Sequence, residues 1–158
     1  MNRFRQFYTD YRDKLFGYLL RKTGNTHAAA DLAQESFTLY MERYPNHEQS
    51  PALLFTIGRN LFYDQMRQGS RIIAHEDIVQ GTVADQEETY IAREQAGKIL
   101  AAIKQLGDEE RDILALVVSS VLNYQEIADI RECSVANIKV KVHRARLKLK
   151  KLLQEKQP

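Results

Sequence analysis

The chain has 158 residues, a formal net charge of +2 and one cysteine. This length suits one ordinary domain or two small helical ones, and with so small a net charge any affinity for nucleic acid must come from local clusters of basic residues. The single cysteine excludes an internal disulfide framework, no Cys/His spacing resembles a metal site, and neither a membrane span nor a signal peptide is predicted. We therefore expect a cytoplasmic protein with no cofactor, no small-molecule substrate and no direct insertion into a membrane.

A stripe of aromatic and leucine residues predicts the first helix, from about Arg3 to Lys22. Gly24 follows, and glycine commonly ends a helix. The stripe is either core or a platform on which nucleic-acid bases stack, and core is the commoner role for such a pattern. Its members are Phe4, Phe7, Tyr8, Tyr11, Leu15, Tyr18 and Leu19.

A second helix is predicted from Thr26, as its N-cap, to about Arg43. Within it, Asp31, Gln34 and Glu35 lie at positions i, i+3 and i+4 and so share one face. Such a stripe faces solvent or docks another protein. Its carboxylates also suit an acid–base enzyme, but no His, Lys or glycine-rich loop converges on them in the sequence, which leaves that hypothesis little support.

Proline and asparagine interrupt the helical pattern at residues 44–49, which predicts a loop. Ser50 followed by Pro51 predicts the start of a third helix, with the serine as N-cap. Polar and aromatic groups lie on this helix away from its apolar stripe. They suit either a single-stranded nucleic acid, whose bases stack on aromatic rings, or an ordinary exposed surface. These groups are Arg59, Asn60, Tyr63 and Arg67.

Residues 72–90 contain no Lys or Arg but several carboxylates. This composition predicts a flexible acidic linker between two helical units, and the alternative is a loop with a short extra helix. Beyond it, the spacing of apolar residues predicts two more helices, one ended by Gly107 and the next capped by Asp108.

Two further helices then follow at the spacing of a helix-turn-helix. Asn123, with Glu126 three residues later, has the pattern of a capping box at the start of the first. Ser134 is expected to cap the second. The turn between them consists of Arg131, Glu132 and Cys133.

The second of these helices is basic, with no Asp or Glu from residue 135 to residue 154. Phosphates attract such a helix through counterion release, and its first turns can reach base edges in a major groove. A solvated basic helix is the plain alternative. The predicted inward stripe is Ile138, Val142, Ala145, Leu149, Leu152 and Leu153. The predicted outward face is Ala136, Lys139, Val140, His143, Arg144 and Leu147.

Taken in order, these segments resemble the extracytoplasmic-function (ECF) sigma factors, the small two-domain specificity subunits of bacterial RNA polymerase. Residues 31–37 (DLAQESF) resemble region 2.2 of that family, and residues 50–61 (SPALLFTIGRNL) resemble regions 2.3 and 2.4. Residues 106–116 (LGDEERDILAL) resemble the entry to region 4. Residues 124–128 (YQEIA) and 134–146 (SVANIKVKVHRAR) resemble region 4.2.

The resemblance implies an all-α protein of two small helical domains joined by a flexible acidic linker, with the helix-turn-helix in the second domain. The implied domains are residues 1–71, which dock on polymerase and bind the promoter −10 element, the linker at 72–90, and residues 91–158, which bind the −35 element. The implied partners are core RNA polymerase, promoter DNA and an anti-sigma factor. Catalysis is left to the polymerase.

The family's functional positions carry over to named residues of this sequence. The implied polymerase-docking residues are Asp31, Gln34 and Glu35. The implied −10 residues are Asn46, Arg59, Asn60, Tyr63 and Arg67. The implied −35 residues are Ser134, Asn137, Lys139, Val140, Lys141, His143, Arg144 and Arg146. The alternative function is a stand-alone helix-turn-helix regulator that binds an operator without polymerase.

Some positions depart from the family's usual residues. Leu53 stands where a tryptophan is usual, and Glu132 stands where the turn usually has glycine. Because glutamate lacks the freedom of glycine at positive φ, we expect a looser or differently shaped turn. Val140 replaces a serine and can contact a thymine methyl instead of donating a hydrogen bond. Cys133 is expected to pack in the turn, and redox sensing is the less favoured alternative.

Overall fold

The computed structural model describes residues 2–46, 48–69 and 87–155, and all the regular structure in these ranges is helical. The all-α prediction is confirmed. The elements are α1 (Asn2–Thr23), α2 (Thr26–Arg43), α3 (Pro51–Arg67), α4 (Glu87–Lys104), α5 (Asp108–Val118), α6 (Tyr124–Arg131) and α7 (Val135–Glu155).

The predicted linker at residues 72–90 overlaps the start of α4, which begins at Glu87. Residues 72–86 lie outside the described residues, so neither the flexible linker nor the alternative short helix is tested there.

The first three helices form an N-terminal unit whose core is largely aromatic. The rings of Phe7 and Tyr40 pack at a tilt of 33° with centroids 5.2 Å apart, and Phe7 contacts Phe37 edge-on at 6.2 Å. Tyr18 and Leu19 are fully buried. Burying one such side chain contributes about 1.5–3 kcal/mol to folding. The aromatic stripe of α1 is therefore core, as the sequence predicted, not a stacking platform.

The N-cap of α2 differs from the prediction by one residue. Asn25 is the cap, and its side-chain oxygen accepts a hydrogen bond from the backbone N–H of Ala28 at 2.9 Å. Thr26 is already helical. Asn25 is in position to cap because Gly24 turns the chain sharply at φ +67°, a conformation that glycine adopts without steric cost.

Two other predicted caps have different outcomes. Ser50 caps α3 as predicted, accepting from the N–H of Leu53 at 3.2 Å, with Pro51 in the first turn. Asp108 does not cap α5: Gly107 occupies the N-cap position without a side-chain bond, and Asp108 is the first helical residue. There it still acts with Glu109, since carboxylates in a first turn favour the positive end of the helix dipole.

Helices α4 to α7 form a C-terminal unit in which α5 packs on α7. Ile113 and Leu116 of α5 are fully buried, as is Ile138 of α7. The two units also contact each other, because α1 packs against α5. This contact places the buried C-terminal end of α1 beside the first turns of α5.

Candidate nucleic-acid interface

The helix-turn-helix begins with the predicted capping box. Asn123 Oδ1 accepts from the N–H of Glu126 at 2.8 Å, and Glu126 Oε1 accepts from the N–H of Asn123 at 2.9 Å. At the second helix, Ser134 Oγ accepts from the N–H of Asn137 at 3.1 Å. Both helix starts are therefore fixed by their own side chains, as predicted, and these bonds hold Ser134 at the head of α7.

The turn between α6 and α7 keeps the left-handed conformation of a glycine despite its glutamate. Glu132 has φ 56° and ψ 49°, and the N–H of Cys133 reaches the carbonyl of Ala128 at 3.0 Å. The expectation of a looser or differently shaped turn is therefore wrong. Holding a residue with a Cβ in this conformation costs about 1–2 kcal/mol, which the surrounding packing must offset. Cys133 is half-buried against the core, in agreement with a packing role.

The faces of α7 are those predicted from the helical spacing. Ile138, Val142 and Ala145 are buried, and Leu149 and Leu152 pack partly against the core. The outward side is exposed, with Val140 50% accessible. The exposed residues among the predicted −35 positions are Ser134, Asn137, Lys139, Val140, His143, Arg144 and Arg146.

Two predicted −35 residues, Lys141 and Arg144, line a cleft against Glu109 and Glu110 of α5. Lys141 Nζ pairs with the carboxylate of Glu109, and Lys148 pairs with Glu110 at 3.2 Å. The hydrogen bond and charge of Lys141 lower the pKa of Glu109. The acidic first turn of α5 thus neutralises one flank of α7 and leaves its outward face basic.

The predicted −10 residues of α3 fall into two groups. Asn60 and Arg67 are exposed, and Arg67 pairs with Asp64 on its own helix. Arg59 and Tyr63 instead turn toward the C-terminal unit. The Arg59 guanidinium lies over the Tyr63 ring, 4.9 Å from its centroid.

The carboxylate of Asp112 in α5 forms ion pairs and hydrogen bonds with side chains from both units. Its side chain is fully buried, and Lys22 Nζ of α1 lies 3.1 Å from Oδ1. Arg59 reaches Oδ2 through Nη2 at 3.0 Å and through Nε at 3.1 Å. The Tyr18 hydroxyl donates to Oδ1 at 3.0 Å, and Arg131 of α6 pairs with Oδ2.

These contacts set the ionisation of the cluster. Burial alone would raise the pKa of Asp112, but the charges of Lys22, Arg59 and Arg131 outweigh burial and hold that pKa below its ordinary value of 3.8. Burial lowers the pKa of Lys22 against the attraction of Asp112. For Tyr18, burial and the Asp112 charge both raise the pKa, so its hydroxyl keeps the proton it donates.

Lys22 also has partners within its own unit. Its Nζ lies 2.6 Å from the Tyr63 hydroxyl, 5.0 Å from the centroid of the Phe62 ring and 4.7 Å from that of Tyr63. A cation over aromatic faces is stabilised by the ring quadrupoles, the more so when both are removed from water. The ammonium group of Lys22 therefore lies against the rings of Phe62 and Tyr63 on one side and against α5 on the other.

The loop at residues 44–46 and 48–50 borders a cleft of about 620 Å³ against α1 and α2. The Tyr40 hydroxyl accepts the backbone N–H of Ser50 at 2.9 Å, which anchors the end of the loop. Tyr44 and Asn46 line the same cleft. An aromatic ring beside an amide provides a stacking surface and an edge-reading group for an unstacked base.

The polar stripe of α2 lies apart from these groups. Asp31, Gln34 and Glu35 are all exposed, while their neighbours Leu32 and Phe37 are buried.

In the part of the chain that the structure describes, no helix is long and apolar enough to cross a membrane. The same residues contain no group of three or more His, Cys, Asp or Glu side chains arranged to hold a metal ion.

Comparison with known proteins assigns both units. Residues 7–72 match the family described as Sigma-70 region 2, and residues 96–149 match Sigma-70, region 4. RNA polymerase sigma factor YlaC of Bacillus subtilis is 31% identical over 91% of this chain and 88% of its own. ECF RNA polymerase sigma factor EcfG of Rhodopseudomonas palustris is 32% identical over 88% of this chain and 78% of its own. The chain is an ECF sigma factor of the sigma-70 family.

Solved structures share the fold of this sigma factor. The sigma factor RpoE of Bartonella quintana, crystallised in complex with the anti-sigma factor NepR, aligns with a TM-score of 0.74 at 24% identity. That alignment covers 99% of this chain and 100% of the other. CnrH, solved with the cytosolic domain of CnrY, aligns with a TM-score of 0.70 at 19% identity.

The Asp112 cluster was missed from the sequence of this sigma factor. Asp112 of α5 lies 94 positions from Tyr18 in the chain, and both Tyr18 and Lys22 belong to α1 of the other unit. One signal was available: Lys22 and Asp112 fall on the apolar faces of their helices, where an unpaired charge is costly. Such a placement predicts a buried partner without identifying it.

Proposed function

We propose that this sigma factor directs promoter-specific initiation with two DNA readers, α3 with its preceding loop for the melted −10 element and α7 for the −35 duplex. The observation that carries the proposal is the exposed, carboxylate-free outward face of α7, on a chain that also has region 2. RNA synthesis then belongs to core polymerase, and no catalytic residue is assigned to this chain. We place its action in the cytoplasm, with the polymerase.

The −35 reading is proposed for the first turns of α7. Lys139 and Arg144 are long basic side chains that can donate to guanine O6 and N7, and His143 lies beside them on the exposed face. Val140 offers an apolar contact for a thymine methyl. Ser134 and Asn137, at the positive end of the helix, suit phosphate contacts that set its orientation.

The −10 reading is proposed for the α3 surface and the loop cleft. Asn60 and Arg67 are exposed groups for base edges and phosphates, and Asn46 with Tyr44 suits a base flipped out of the stack. Arg59 and Tyr63 would complete this surface once Asp112 is withdrawn from them.

Polymerase docking is proposed for the α2 stripe, because Asp31, Gln34 and Glu35 form an exposed polar surface on a helix that carries none of the proposed DNA-reading groups. The test is the affinity of an Asp31→Ala/Glu35→Ala variant for core polymerase. We expect at least a tenfold loss. Glu42→Ala, which removes another exposed carboxylate from the same helix, is the matched control and should bind normally.

The same test separates the proposal from a stand-alone helix-turn-helix regulator. A regulator of that kind binds its operator tightly without polymerase and is indifferent to Asp31 and Glu35. Unchanged polymerase affinity in the double variant, together with tight sequence-specific binding by the free protein, would favour the regulator.

We also propose an anti-sigma factor as a partner. The solved relatives RpoE and CnrH were each captured with another protein, which for RpoE is named an anti-sigma factor. Copurification from the native host, followed by inhibition of transcription in a reconstituted reaction, tests this partner.

A further inference from the structure

Two large apolar side chains of α7 point to solvent. Val140 is 50% exposed and Leu147 is 55% exposed. Leu147 comes nine residues after the buried Ile138, which is about two and a half turns, so the two lie on opposite sides of the helix. Packing within region 4 therefore does not account for the leucine, and its role depends on what the outward face contacts.

Both side chains belong to one continuous row on the helix surface. Its members follow one another at steps of four, three and four residues, which aligns them along the helix. All are exposed, and none is acidic. This central row consists of Ala136, Val140, His143 and Leu147. It extends about 16 Å along α7, at about 1.5 Å per residue.

Cations border the central row on both sides. Those on one side are Lys139, Arg146 and Lys150, and those on the other are Arg144 and Lys151. In the part of the chain that the structure describes, none of these five forms an ion pair, whereas Lys141 and Lys148, farther round the helix, pair with Glu109 and Glu110. The major groove of a duplex has the complementary pattern, with base edges along its floor and phosphates along both rims.

We propose that α7 lies lengthwise in the major groove of the −35 duplex, where Leu147 and Val140 read the methyl groups of two thymines. The inference rests on the −35 role proposed for α7, and it adds a second apolar reader and the base that this reader selects. Among the four standard bases, only thymine presents a methyl group in the major groove. An aliphatic side chain that covers this methyl removes apolar surface from water, which the polar edges of the other bases do not offer.

The spacing of the two readers limits where the thymines lie. Val140 and Leu147 are seven residues apart, or about 10.5 Å along the helix. Because successive base pairs rise by about 3.4 Å, the two methyl groups are at most about three base pairs apart. Homeodomain recognition helices also read bases through side chains spread over roughly seven residues, so one helix can cover this distance.

Replacement of thymine by uracil removes only the methyl group, so it tests this reading one base at a time. The probe is the duplex of a promoter selected by holoenzyme, with uracil in place of a single −35 thymine in each version. Burial of one methyl group changes affinity about fourfold. We expect wild-type holoenzyme to lose about fourfold for uracil at two positions, at most about three base pairs apart. Leu147→Ala should abolish the loss at one position, and Val140→Ala should abolish it at the other.

Two further variants are the matched controls. Leu147→Met keeps an apolar side chain of similar reach, so both uracil effects should remain. Lys150→Ala removes a bordering cation that has no ion-pair partner in the described residues. It should weaken binding to every duplex and leave the uracil effects unchanged, because phosphate contacts do not depend on the base.

The outcomes separate this inference from the proposed function. Uracil effects that are the same in Leu147→Ala as in the wild type, with the −35 preference intact, overturn this inference alone. A selected −35 element without thymine on either strand does the same, as does a Leu147→Ala protein that loses affinity for core polymerase instead of sequence preference. Holoenzyme that binds selected and scrambled −35 duplexes equally overturns the proposed −35 role of α7, and this inference with it.

Discussion

Lys22 and Asp112 form an ion pair across the two units, with Nζ 3.1 Å from Oδ1 and both side chains fully buried. Neither region can bury its charge in this way alone, because the lysine belongs to α1 and the aspartate to α5. The pair therefore reports directly on whether regions 2 and 4 are in contact.

The stability of the protein should depend on pH through the titration of the Asp112 carboxylate. Its folded-state pKa lies below the ordinary value of 3.8, so the stability it contributes is present above that value and lost as the pH falls through the folded-state pKa. The charges that face it are Lys22, Arg59 and Arg131. We expect the two units to stay in contact at neutral pH and to separate only as the pH falls below 3.8, as followed by scattering at a series of pH values.

Asp112→Asn provides the comparison for that series. Its radius of gyration should not depend on pH across the same acid range, since the titrating group is gone. If the units of the Asp112→Asn protein separate at the same pH as those of the wild type, the titration of other carboxylates causes the transition.

Glu132→Gly should stabilise region 4. The glutamate is held at φ 56°, and relief of that strain is worth about 1–2 kcal/mol, reduced by the greater freedom of glycine in the unfolded chain. We expect a net gain of about 0.5–1 kcal/mol in chemical denaturation. Glu132→Ala removes the same charge but keeps a Cβ, so it should give no such gain; equal gains for both would point to charge instead of backbone strain.

Lys139→Ala and Arg144→Ala should each weaken binding to the −35 duplex by about 1–3 kcal/mol if these side chains contact bases. The measurement is the affinity of holoenzyme for a selected −35 sequence and for a scrambled one. Lys148→Ala, on the flank that faces Glu110, should weaken binding to both sequences equally and only slightly, because Glu110 already neutralises that charge. An equal loss on both sequences for Lys139→Ala would exclude a base-reading role.

Glu109→Gln should raise general affinity for DNA. The carboxylate pairs with Lys141 and with Arg131, so its loss frees a lysine beside the α7 surface. Freeing one cation should steepen the slope of log affinity against log salt by about one. A salt titration with nonspecific duplex DNA measures this, and an unchanged slope would show that Lys141 does not reach phosphates.

Local rules predicted much of this protein from its sequence. The inward stripe of α7 follows from helical spacing, and the caps at Ser50, Asn123 and Ser134 follow from the need to satisfy backbone N–H groups. The N-cap of α2 was predicted at Thr26 but lies at Asn25, because either side chain can accept the same kind of hydrogen bond.

The remaining features depend on contacts that are distant in the chain. Glu132 adopts a left-handed turn because the packing of two helices fixes it, which its own preference does not reveal. The convergence of Lys22, Arg59 and Arg131 on Asp112 depends on how one unit meets the other. Periodicity identifies a buried charge but not the helix that supplies its partner.

The central claim is that this chain gives core RNA polymerase its promoter choice. The most direct measurement is run-off transcription by bacterial core polymerase on a pool of genomic promoter fragments, with and without the protein. We predict initiation at a defined set of start sites that share −10 and −35 sequences and that disappear with the Asp31→Ala/Glu35→Ala variant. Transcription with no preferred start site in the presence of the protein would contradict the account.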